Sequence, residues 1–181
     1  MRKLQRQVVL LKLIEALAAK GSWCGETHVQ KATFFLQEAV RVPLGFEFVL
    51  YKHGPFSFDL RQELGEMRST QLIDVRSRPA PYGPSLDLSA AAARLTVLFP
   101  KTSKRYQQQI EFVAGSFNEK DVLDLERLGT ALYVTRKGRR LSPDALAARI
   151  VELKPHISEA DARNAVAAVD KLLKKAPVWK R

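Results

Sequence analysis

The sequence predicts a mainly α-helical chain with a small β component, and three observations predict it. Apolar residues recur at helical spacing over most of the 181 residues. Strand-like alternation is confined to short runs near 45–51 and 72–88. From Ala90 onward the apolar stripes are all helical, and prolines or glycines punctuate them.

From Leu4 to Lys20 a helix is expected, with Leu10, Leu13, Ile14 and Leu17 on one stripe, Arg6, Lys12 and Glu15 off it, and Gly21-Ser22 as its stop. The next helix is expected to start at Thr27, whose T-x-x-Q spacing with Gln30 fits a capping box. Val29, Ala32, Leu36, Ala39 and Val40 form its buried stripe, and Pro43 stops it. "GFEFVLY" sets Phe46, Phe48 and Leu50 against Glu47, Val49 and Tyr51, the alternation of a short strand. "YKHGPFSFDL" follows, and its Lys52-His53-Gly54-Pro55 is the expected turn out of that strand. Ser57 is placed to cap a third helix, Asp59 suits its positive end, and Leu60, Leu64 and Met67 give the buried face to about Thr70. "LIDVRSRPAPYGPSLDLS" has two extended runs flanking a rigid turn at Pro79 to Pro84, the form of a long-looped β-hairpin, and Ser89 can cap what comes next.

Helix, helix, strand, helix, hairpin is the order of a winged helix-turn-helix with a strand inserted before its third helix, so residues 1–90 are read as that domain. Residues 91–181 are read as a basic helical domain packed on it. Its first helices are expected at Ala90 to Phe99 and Lys104 to Val113, broken at Pro100. Ser116 with Glu119 has capping-box spacing ahead of Val122, Leu125, Leu128, Leu132 and Tyr133, a helix that "RKGRR" ends. Ser142-Pro143 opens a helix carrying Leu146, Ile150 and Leu153. Ser158 with Asp161 opens the last, whose Ala162, Ala165, Val166, Val169, Leu172 and Leu173 suit a core or a homodimer surface.

The net charge of +11 argues for a polyanionic partner, because such a field attracts phosphate backbones. Residues 1–90 hold 12 Lys and Arg against 9 Asp and Glu, whereas 91–181 hold 18 against 10, so the excess lies mainly in the second half. A lone cysteine forbids an intrachain disulfide. With no signal-like or membrane-length apolar run, a cytoplasmic protein is expected.

Enzymatic chemistry finds little support. Cys24 and His28 are four apart, but His53 and His156 are isolated, so the ligands of a metal centre are not assembled. Ser57, His53 and Asp59 could be drawn as a nucleophilic triad, yet each already has a turn or capping role. A phosphate loop fails because Gly54 is the stretch's one glycine and Pro55 lacks an N–H donor. A non-enzymatic protein without cofactor or metal is therefore expected.

Nucleic-acid binding, most simply to double-stranded DNA for regulation, is the favoured reading. Arg76 and Arg78 project from the wing's first strand and Tyr82 sits at its tip, while Arg61, Gln62 and Arg68 of the third helix could reach base edges. Against this, Asp59, Glu63 and Glu66 leave that helix with a local charge of −1. Arg136, Lys137, Arg139 and Arg140 form the densest basic cluster, although a helix C-terminus attracts cations anyway. The alternative is a protein-interaction module without DNA binding, antitoxin-like or an adaptor, using the aromatic surface around Tyr51, Phe56 and Phe58.

"HVQKATFFLQEA" followed by a strand and "YKHGPFSFDLRQELGEMRSTQLIDV" resembles the YwgA-like family of uncharacterised bacterial and archaeal proteins, and more distantly the Panacea domain of SocA-like antitoxins. "LDLERLGTALYV" and "ELKPHISEADARNAV" are similar to C-terminal helices of the YwgA-like proteins, so the resemblance spans most of the chain. It implies a winged-helix-like fold without known catalytic residues, and the Panacea relatives imply action through protein binding. Leu50-Tyr51-Lys52-His53 stands where Panacea domains carry a tryptophan-lysine-tyrosine run, a departure that places the chain nearer the YwgA-like branch.

Overall fold

The computed structural model describes residues 1–79, 83–118, 120–138 and 141–179. The described residues are mainly helical with two small antiparallel hairpins. Helices α1 (Lys3–Ala19) and α2 (Glu26–Glu38) lead into strands β1 (Val49–Tyr51) and β2 (Gly54–Phe56). Helix α3 (Phe58–Ser69) then precedes β3 (Ile73–Arg76) and β4 (Ser85–Leu88). The remainder comprises α4 (Ala90–Leu98), α5 (Pro100–Arg105), α6 (Gln107–Ser116), α7 (Val122–Lys137), α8 (Pro143–Leu153) and α9 (Glu159–Lys175).

Two helices are buried far beyond one stripe. In α1 every residue from Gln7 to Leu11 is buried, and in α2 every residue from His28 to Leu36 is. The reason is that α1 is covered by α2, α4, α5, α6 and β4, while α2 is covered by α1, α6, α7 and β2. One connected set of buried apolar residues consequently runs from Val9 to Val169, through both halves of the sequence. The stripe of α9 is part of it: Ala162, Ala165, Val166 and Val169 are buried where α9 packs on α7 and α8.

Several boundaries differ from expectation for definable reasons. The strand expected over 45–51 shrinks to three residues because the backbone at Phe46 is already satisfied elsewhere. The Gln37 side chain accepts from its N–H and donates to its carbonyl, each at 2.9 Å. Gly54-Pro55, expected as a turn, is strand β2, paired Tyr51 to Gly54, Leu50 to Pro55 and Val49 to Phe56. Lys52 and His53 make the turn, and Gly54 at φ +85 takes the left-handed position that lets so short a loop close. Helix α2 begins at Glu26 with Gly25 as N-cap, because Gln30 is occupied in the core rather than at the helix start. The break at Pro100 forms, with α4 ending at Leu98 and Pro100 at the first position of α5, but a second break at Tyr106 divides the helix expected from Lys104. Ser116 is the last residue of α6, and the Asp121 carboxylate caps α7 by accepting from Asp124 N at 2.8 Å. Glu119, the other half of the capping box expected there, lies outside the described residues.

Expected caps that form are Ser57 for α3, Ser89 for α4, Ser142 for α8 and Ser158 for α9, each accepting from a first-turn N–H. The β3–β4 hairpin forms with Ile73 opposite Leu88 and Arg76 opposite Ser85. The segment between α1 and α2 meets this hairpin: Gly25 bridges Ser85, and Leu86 N donates to the Cys24 carbonyl at 3.0 Å.

Candidate functional site

The outer surface of α3 is set by where its acids go. Glu63 is buried and ion-paired with Arg6, and Glu66 lies 2.6 Å from Lys3 Nζ, so both are drawn toward α1. The Lys3 contact and the Gln62 amide hold the Glu66 carboxyl below its usual range. Solvent is left with Phe58, Asp59, Arg61, Gln62, Gly65, Arg68 and Ser69. Arg61 and Arg68 line a groove of about 250 Å³ between α3 and the β3–β4 hairpin, with Ile73, Val75, Pro84 and Leu86 on its other side.

Each residue expected to contact nucleic acid can be placed, apart from three. Arg61 Nε is 3.7 Å from Glu26 Oε1, and Gln62 Nε2 donates to Glu66 Oε1 at 3.3 Å. Arg76 reaches Asp87 across the hairpin at 2.6 Å, an exposed pair that solvent screens, while Arg68 and Arg78 are exposed. Tyr82, Arg139 and Arg140 lie outside the described residues. Arg136, expected as a phosphate contact, instead donates from Nη2 to the Glu38 carbonyl at the end of α2. Lys137 is exposed with its ammonium 5.8 Å from the Tyr133 ring, beside a separate cavity at the end of α7. The structure thus brings Arg61 and Arg68 to the β3–β4 hairpin, and turns Arg136 into the fold.

The aromatic surface is also assembled. Tyr51, Phe56 and Phe58 contact one another with ring centroids 5.1–5.7 Å apart. Tyr51 is 55% exposed and Phe58 56%, so two of the three rings stand largely in water. This aromatic trio joins the β1–β2 hairpin to the start of α3.

Behind the hairpin lies a buried charged latch that sequence reasoning missed. Gln30 is fully buried and grips the Ser57 backbone from both sides, donating to its carbonyl and accepting from its N–H at 2.9 Å each. Its neighbour Lys31 is 2% exposed, and burial pushes its ammonium down to about 8, with Glu126 opposing and Lys154 adding to the shift. A Cβ on Gly54 would sit 3.3 Å from both Lys31 Cε and the Glu126 carbonyl, so only glycine fits above this lysine without displacing it. Lys154 Nζ donates to the carbonyls of Tyr51 at 2.6 Å and Lys52 at 2.5 Å, and lies 3.3 Å from Glu126 Oε1. His156 Nε2 is 3.3 Å from the same oxygen, and His53 Nδ1 is 3.9 Å from Glu126 Oε2. The signal available was Gln30-Lys31 and Gly54-Pro55, which the fold places against each other.

The serine-histidine-aspartate triad dissolves. Ser57 is fully buried with its Oγ accepting from Leu60 N, whereas His53 faces Glu126. Cys24 is buried, and burial pushes its thiol up; His28, pushed down by burial, lies tilted against Trp23 with ring centroids 4.3 Å apart. Among the described residues no group of three metal-ligating side chains converges, and no helix is long and apolar enough to cross a membrane. No family model matches this chain, and no curated protein matches it.

Proposed function

We propose that residues 1–90 form a winged-helix unit that binds double-stranded nucleic acid, with α3 as the groove-facing helix and β3–β4 as the wing. The observation that carries this is the withdrawal of Glu63 and Glu66 toward α1. It removes the main electrostatic objection to α3, because carboxylates already neutralised by Arg6 and Lys3 repel phosphates weakly. Arg61 and Arg68 then flank a groove shared with the wing, and Arg76 and Arg78 extend the basic edge. The bridge from Gly25 to Ser85 ties the segment between α1 and α2 to the proposed wing.

Titrating salt against binding to random duplex DNA tests the reading. Each phosphate that a cationic side chain neutralises steepens the fall of log affinity with log salt by about 0.9. Replacing both Arg68 and Arg78 by alanine is expected to weaken binding across sequences and flatten that slope by close to two such increments. A salt-independent affinity sinks the proposal.

The aromatic trio favours a second reading, a protein-interaction surface. Exposed aromatic anchors are what interface hot spots are made of. Under that reading Phe58→Ala abolishes partner capture, and duplex DNA is not bound.

A further inference from the structure

Where α7 hands over to α8, a cavity of about 600 Å³ opens, walled by Val49, Leu50, Tyr133, Val134, Leu141 and Leu153. That size falls within the range of small-molecule sites. Val49 and Leu141 are 45% and 48% exposed, so the walls leave large aliphatic side chains half in water. Among the described residues two charged side chains also line it, Lys137 and Arg149, both cations, and none of the described lining residues is acidic. Their present partners are weak ones. Lys137 has the face of Tyr133 at 5.8 Å, and Arg149 has Glu152 at 2.5 Å in a pair exposed at both ends. Such exposed pairings contribute little and can be exchanged for a ligand's anionic group.

We propose that this cavity binds an amphipathic anion, a small molecule with one carboxylate on an apolar body. The apolar body would cover Val49, Leu50, Leu141 and Leu153, and the carboxylate would meet Lys137 and Arg149 at the open side. Charge complementarity selects this occupant over the neutral or cationic alternatives. A phosphodiester backbone suits the cations but leaves the aliphatic walls in water, so Lys137 belongs to this site rather than to a nucleic-acid surface. The proposal is independent of the reading of α3.

Calorimetric titration with decanoate, 1-decanol and decyltrimethylammonium, all below micelle formation, tests it on the full chain. Decanoate should bind at one site, decanol about ten-fold more weakly, and the cation not measurably. Lys137→Gln with Arg149→Gln should bring decanoate down to the decanol level and leave decanol unchanged. Val49→Trp should block both ligands by filling the cavity from a half-exposed position, and Leu141→Trp repeats the block from a second lining residue. Thermal unfolding of each variant, run alongside, separates a filled cavity from a lost fold. Equal binding of decanoate and decanol, undiminished decanoate binding in the double glutamine variant, or undiminished binding in both folded tryptophan variants overturns the proposal. So does methyl chemical-shift change that bypasses Leu50, Leu141 and Leu153.

Discussion

Replacing Lys31 by methionine, which nearly matches its length without its charge, probes the latch most directly. The folded ammonium titrates at about 8 against an ordinary 10.5. Below pH 8 both folded and unfolded chains hold the proton, and the buried charge lowers stability in full. Between pH 8 and 10.5 the unfolded chain keeps a proton that the folded chain has released, so stability rises with pH, at most by about 1.4 kcal/mol per unit. The whole window is worth about 3 kcal/mol. Lys31→Met should therefore stabilise the protein at pH 7 by up to about 3 kcal/mol, less whatever Glu126 loses when its cationic neighbour disappears. Above pH 10 the two proteins should converge. Urea unfolding at pH 7, 8, 9 and 10 measures this as a difference between two curves, which cancels the titration of the other groups. Parallel curves would show that Lys31 is not held in a desolvated state.

Other substitutions report on the same region. Gln30→Ala strips two hydrogen bonds from the buried Ser57 backbone and should cost about 2–4 kcal/mol by denaturant unfolding. Gly54→Ala should cost about 1–3 kcal/mol, combining a φ of +85 with the 3.3 Å approach to Lys31 and Glu126, seen as a lower urea midpoint. Arg6→Ala leaves Glu63 buried without its partner and should cost about 3–5 kcal/mol, whereas Arg6→Met with Glu63→Met should recover most of that loss. Phe58→Ala, at a largely exposed ring, should change stability by less than about 1 kcal/mol in the same assay.

The helices were readable because periodicity and caps are local. Ser57, Ser89, Ser142 and Ser158 each announce a helix start through one oxygen and one or two nearby N–H groups. Side chains with long-range jobs were not readable in that way. Gln30 looked like half of a capping box, yet its amide serves a backbone 27 residues on. Gln37 satisfies the peptide that alternation had assigned to a strand, and Arg136 spends its guanidinium on a helix end 98 residues back. Nor does the charge tally of α3 reveal that Arg6 and Lys3, on another helix, neutralise its acids. In each case the residue type was compatible with the right answer, and only the tertiary partner chose it.

Lys154 carries a consequence for the order of synthesis. The turn that presents α3 hangs from an ammonium about a hundred residues further along. While the first 90 residues leave the ribosome, the carbonyls of Tyr51 and Lys52 must be hydrated, and the space under Gly54 has no Glu126 to offset Lys31. The turn ahead of α3 is held from this side only once Lys154 has been made, so a product that stops short of that residue leaves both carbonyls to water.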